Sequence, residues 1–220
     1  MGLKQTDFLQ MFEVVIQFGS ILAVIVLYWK KLFDWGLIKK LIAAFIPTGI
    51  IGLLASHALK SLYDQNKMII IAMFLGGIVI ILFELWHKEK EDDTADLKNI
   101  SYKQALILGV CQSVAIIPGI SRSAATIVGG LALGIRRRVI VEFSFLLAVP
   151  TMLAASGLEL LKGYKNLAGA NFGFLSVGFI VSFVVALVSI RFLLNFIRRF
   201  SFIPFGIYRV VLAIVLWFAL

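Results

Sequence analysis

Six stretches, near residues 8–29, 41–59, 68–86, 139–160, 172–197 and 202–220, stay apolar for about the 20 residues that a membrane crossing needs. In a lipid interior a backbone N–H or C=O group finds no water, so each stretch must satisfy its hydrogen bonds internally. That requirement dictates helix. Only 15% of the residues are charged, against about a quarter in soluble domains. The chain reads as an all-α polytopic membrane protein with about six transmembrane helices.

A net charge of +9 invites a nucleic-acid partner, but the cations sit in short loops between spans. This is the positive-inside pattern rather than a binding stripe, and no nucleic acid is expected. Residues 102–126 decide the topology. If they dip into the membrane and return, fourteen of the 21 cations fall on one side and five on the other. Arg122 and Arg209 are left inside apolar sequence. If those residues cross fully, the split becomes ten against nine and the bias vanishes. A re-entrant helix pair is therefore expected, with both termini outside. Two sets of three spans then run in opposite directions, as in an inverted-topology repeat. The domains are residues 1–86, a charged cytoplasmic linker at 87–101, and residues 102–220 with the re-entrant segment at 102–126. The first repeat, with 12 residues ahead of Glu13, is incomplete.

Within the re-entrant segment lies Pro118-Gly119-Ile120-Ser121-Arg122-Ser123-Ala124-Ala125-Thr126. An arginine at bilayer depth costs roughly 2.5–3.5 kcal/mol on insertion scales. Pro118 and Gly119 break the preceding helix, and Ser121 can cap a new one whose free N–H groups favour an anion. Arg122 adds a fork of donors matched to phosphate oxygens. Physics leaves two readings: a phosphate cradle, or a capped helix whose arginine snorkels to headgroups.

The nonapeptide resembles the PGxSRSxxT motif of the bacterial undecaprenyl-diphosphate phosphatase family, known for bacitracin resistance. The likeness extends through Glu142–Pro150, Ser201–Phe205 and Phe12–Val24. It implies a phosphatase of the bacterial plasma (inner) membrane that removes the terminal phosphate from undecaprenyl diphosphate and recycles the cell-wall lipid carrier. Ser121 and Arg122 become the catalytic candidates. Gly119, Ser121, Arg122, Ser123, Thr126, Glu142 and Gln17 become the substrate-binding ones. The implied partners are the polyprenyl diphosphate lipid and the membrane, with room for a homodimer. Mg2+ or Ca2+ is implied as cofactor. Its ligands belong to an amino-terminal ExxxE and histidine arm that Lys4–Leu9 does not match, so no metal ligand is assigned. The chain reads as a fragment with little or no hydrolytic activity.

Glu13 is a weaker candidate than Gln17 or Glu142, since polar residues within spans also serve as interhelical glue. Arg209, after the Pro204-Phe205-Gly206 bend, reads as a buried ion-pair partner or a snorkelling residue. Glu84 beside Trp86 reads as an interfacial helix end. His57 and His87 read as solvated, and Cys111 as packing. Neither histidine stands in the setting used by type 2 phosphatidic-acid phosphatases. Two alternatives remain: a transporter or lipid flippase with a midplane anion site, and an inactive remnant that binds lipid.

Overall fold

The computed structural model describes residues 7–63, 66–89, 93–163, 172–197 and 200–219, with no side chains given for 56–63 and 162–163. Eight α-helices follow in order: α1 Asp7–Leu32, α2 Trp35–Tyr63, α3 Asn66–Trp86, α4 Tyr102–Ser113, α5 Arg122–Ala132, α6 Arg137–Gly163, α7 Phe172–Phe196 and α8 Ile203–Ala219. Five of them, α1, α2, α3, α6 and α7, are long and apolar enough to cross a membrane. The apolar α8, with 17 residues, is the shorter sixth. The all-α polytopic class expected above is therefore observed. The chain forms two compact units, Met1–Asp34 with Leu146–Leu193 and Trp35–Phe145 with Leu194–Leu220.

In the first unit, α1 meets α7 through small residues. A Cβ on Gly19 would collide with the Phe179 carbonyl and the Ser182 hydroxyl, and one on Gly178 would enter the Phe12 ring. Where lipid tails are as apolar as leucine, such close approach and interhelical hydrogen bonds hold helices together. The fully buried Ser156 of α6 donates to the Gln17 side-chain carbonyl at 2.6 Å.

The second unit uses the same devices. On α2 the Ala44 carbonyl sits where a Cβ of Gly109 would be, and Thr48 donates to the Gly109 carbonyl at 2.8 Å. Gln112 donates in turn to Thr48. Gly77 of α3 and Gly206 of α8 press each other's backbones together. The helices α4 and α5 form an antiparallel hairpin, with α5 running on to Ala132. Gln104, early in α4, donates to the Leu133 carbonyl just past α5, and Cys111 packs on Gly129. Twelve residues of α4 rise about 18 Å and the 11 of α5 less, short of the roughly 30 Å of hydrocarbon. Neither arm can cross alone.

Glu84 corrects the interfacial reading given to it. It is buried, accepts from Arg137 at 2.6 Å and from the Phe202 N–H at 3.2 Å, and so joins α3, α6 and the start of α8. The Arg137 guanidinium also lies over the Phe202 ring. His87, expected in solvent, is half-buried and stacks on Phe83, while the side chain of His57 lies outside the described residues. The described part of the linker is docked rather than loose. Thr94 pairs with the backbone at Gly134 and Arg136, and Leu97 and Ile100 are buried.

Breaking a buried ion pair from one side costs about 3 kcal/mol or more, because the surviving charge stays desolvated. Glu84→Ala should therefore lower stability by about that amount, and adding Arg137→Met should recover part of the loss. Reversible unfolding in mixed micelles reads both. Additive losses would show that the two side chains do not depend on each other.

Candidate functional site

Between α4 and α5 the backbone leaves the helix for a few residues. Ile120 N–H bonds back to the Ile117 carbonyl at 3.2 Å, with Pro118 and Gly119 as the central residues. Gly119 has φ +93°. Proline followed by a positive-φ glycine is the type II pattern, and proline's fixed φ and glycine's missing Cβ are what it demands. A Cβ on Gly119 would also meet the Ile69 carbonyl on α3.

Ser121 then takes the N-cap position, extended at φ −76° and ψ 121°, and its hydroxyl accepts from the Ala124 N–H at 3.3 Å. The Ser123 hydroxyl lies 3.2 Å from it. Arg122 begins the helix and is half-buried, while Ser123 is exposed. The N-terminal turn of α5 thus carries two hydroxyls and an arginine beside the helix's first backbone amides. The macrodipole adds positive potential there. Thr126 sits one turn on, 0% exposed, and its hydroxyl donates to the Arg122 carbonyl at 3.0 Å. It braces the turn from beneath instead of presenting its oxygen outward.

Glu142 is buried on α6 and accepts from Arg138 at 3.3 Å across one helical turn. It is not on the cavity wall described next. Gln17 lies in the first unit, where its carbonyl receives the Ser156 hydroxyl. Glu13 is exposed on α1.

Beside the turn is an open cavity of about 550 Å³, bounded by α3, α4, α5 and the turn itself. Its wall is apolar apart from Ser121, Arg209 and the Cys111 thiol. Arg209 departs from the ion-pair reading: among the described residues no carboxylate pairs with it. Its Nη2 donates to the Gly119 carbonyl at 2.8 Å and reaches the Met73 carbonyl at 3.5 Å. Sequence reasoning missed this role, although a cation in the middle of an apolar helix was the signal available.

Among the described residues no three His, Cys, Asp or Glu side chains are grouped to hold a metal. The donors at the turn are hydroxyls, amides and a guanidinium. They suit an anion, not a hard dication that asks for several oxygen ligands.

The family model described as bacitracin resistance protein BacA matches residues 1–215. The undecaprenyl-diphosphatase of Sulfurihydrogenibium sp. is 47% identical over 220 residues, covering 99% of this chain and 87% of the relative. The undecaprenyl-diphosphatase of Wolinella succinogenes is 47% identical over 224 residues, covering 100% and 86%. The undecaprenyl-diphosphatase of Aquifex aeolicus is 42% identical over 216 residues, covering 98% and 84%.

A left-handed backbone costs a residue with a Cβ roughly 1–2 kcal/mol, and at Gly119 the collision with Ile69 adds to this. Gly119→Ala should lose at least ~1 kcal/mol by reversible unfolding in mixed micelles. An unchanged stability would mean the turn relaxes without cost.

Proposed function

The chain belongs to the bacitracin resistance protein BacA family, and from that premise we propose that it is a multi-pass hydrolase of the bacterial plasma (inner) membrane acting on undecaprenyl diphosphate. Water cleaves the terminal anhydride bond, releasing inorganic phosphate and leaving undecaprenyl phosphate, the lipid carrier of cell-wall synthesis. One observation carries this reading. The turn that presents Ser121, Arg122 and Ser123 at a helix N-terminus also walls an apolar cavity of about 550 Å³. A long hydrocarbon ending in a multiply charged phosphate needs both features in one place.

In this reading the Ser121 and Ser123 hydroxyls, the Arg122 fork and the first amides of α5 hold the diphosphate oxygens. Gly119 shapes the turn, and Thr126 steadies it through the Arg122 carbonyl. The polyprenyl chain lies along the apolar wall. Phosphoryl transfer passes through a loose transition state with charge spread over the equatorial oxygens, so fixed donors lower the barrier by electrostatic stabilisation. Glu142 and Gln17, engaged with Arg138 and Ser156, take no part in this reading. The names of the relatives support hydrolysis and lend nothing to the transporter or flippase alternative.

The magnesium or calcium ion expected from the resemblance has no ligand set at this turn, and no step is drawn through it. The turn likewise holds no carboxylate or imidazole that could act as a general base. A base for the attacking water, worth on the order of 10²–10⁴ in rate, comes in this reading from outside the turn.

Binding is separable from turnover. Losing a hydrogen bond to a charged group costs about 1.5–3 kcal/mol, or roughly ten- to a hundredfold in affinity. Arg122→Ala should weaken farnesyl diphosphate binding by that factor in micelles, with farnesol binding unchanged. Ser121→Ala should do so to a lesser degree. If both variants bind the diphosphate like the parent, the anion site is elsewhere.

A further inference from the structure

We propose that Arg209 is the positioning residue of the diphosphate turn, an inference that rests on the anion-site reading of Ser121–Ser123. The peptide unit between Gly119 and Ile120 is gripped at both ends. Its N–H bonds to the Ile117 carbonyl at 3.2 Å, and its carbonyl takes the Arg209 Nη2 donor at 2.8 Å. Ser121 is the next residue. With that plane held, the Ser121 hydroxyl and the first amides of α5 have a fixed direction before any ligand arrives. Removing either grip frees a peptide whose positive-φ glycine can rotate more readily than any other residue.

The placement has a visible structural investment. Gly76 clears the space beside the guanidinium, since a Cβ there would lie 3.1 Å from Nη2. The close approach of Gly77 to Gly206 brings α8 against α3. The start of α8 is anchored separately, by the bond from the Phe202 N–H to Glu84. Arg209 is therefore not required to dock α8, and a costly cation in an apolar helix is spent on a carbonyl in the turn. An arginine suits this task because its planar fork stays charged and makes a charge-assisted bond. Its Nε is buried without a hydrogen-bond partner among the described residues, so the guanidinium is not saturated by the protein. The residue also lines the same cavity wall as Ser121.

The test uses the full chain in detergent micelles, with farnesyl diphosphate and farnesol as probes. Variants are Arg209→Met, Arg209→Lys, Ser121→Ala and the double variant Arg209→Met/Ser121→Ala. Arg209→Met should weaken farnesyl diphosphate binding about tenfold or more while leaving farnesol binding unchanged, and any fall in the unfolding midpoint should be recovered by Arg209→Lys. Arg209→Lys, which keeps a charged donor of nearly the same reach, should restore most of the loss. Because Arg209 acts through the peptide that aims Ser121, the double variant should lose less than the two single losses combined. Additive losses would make Arg209 an independent contact and overturn the proposal. So would equal losses of farnesyl diphosphate and farnesol binding, or a drop in unfolding midpoint that Arg209→Lys does not rescue. If Arg122→Ala and Ser121→Ala leave diphosphate binding intact, the underlying anion-site reading fails. If they weaken it and Arg209→Met does not, the positioning role alone fails.

Discussion

A backbone hydrogen bond left open in an apolar medium costs several kcal/mol, and this constraint governs the whole molecule. Through the eight α-helices of the described residues the chain meets it internally. Between Ile117 and Ser121 it cannot, because Pro118 has no N–H and Gly119 turns the backbone left-handed. The freed groups find partners one by one: Ile120 N–H on the Ile117 carbonyl, the Gly119 carbonyl on Arg209, and Ala124 N–H on the Ser121 hydroxyl. What remains is the N-terminus of α5, set beside a cavity. The break in the helix and the proposed anion site are one feature.

Packing around that feature relies on closeness rather than on the hydrophobic effect, which has little to act on between apolar helices in lipid. Gly109 against Ala44 and Gly77 against Gly206 bring backbones together, and Thr48 and Gln112 add hydrogen bonds where α4 meets α2. The ion pair of Glu84 with Arg137 gathers three helices at one end of the second unit. The bond from the Phe202 N–H to Glu84 holds the start of α8, the helix whose Arg209 reaches Gly119. A polar network at one place thus underwrites geometry at another.

The chemistry available at the turn is one-sided. It offers positive potential, hydroxyls and a fixed backbone, which in the proposed reading bind and stabilise a phosphoryl group. It offers no base and no carboxylate to hold a metal. Binding of a lipid diphosphate and its turnover are accordingly separate properties, and the residues described here speak mainly to the first.

Local chemistry was readable in advance. Runs of about 20 apolar residues dictate membrane helices. Pro118-Gly119 followed by Ser121 dictates a break and a capped restart, because each acts on its own few neighbours. Glu84, Arg209 and Thr126 could not be read this way. Glu84 finds Phe202 118 positions away, and Arg209 finds Gly119 90 positions away. Thr126 was read as a ligand because a hydroxyl one turn into a helix looks the same in sequence whether it points outward or back to a carbonyl. The sequence by itself determined which segments are helical and where the chain must break, since those choices depend on bonds within a few residues. Only the tertiary structure decided which polar side chain answers each exposed carbonyl and charge, because those partners meet through helix packing.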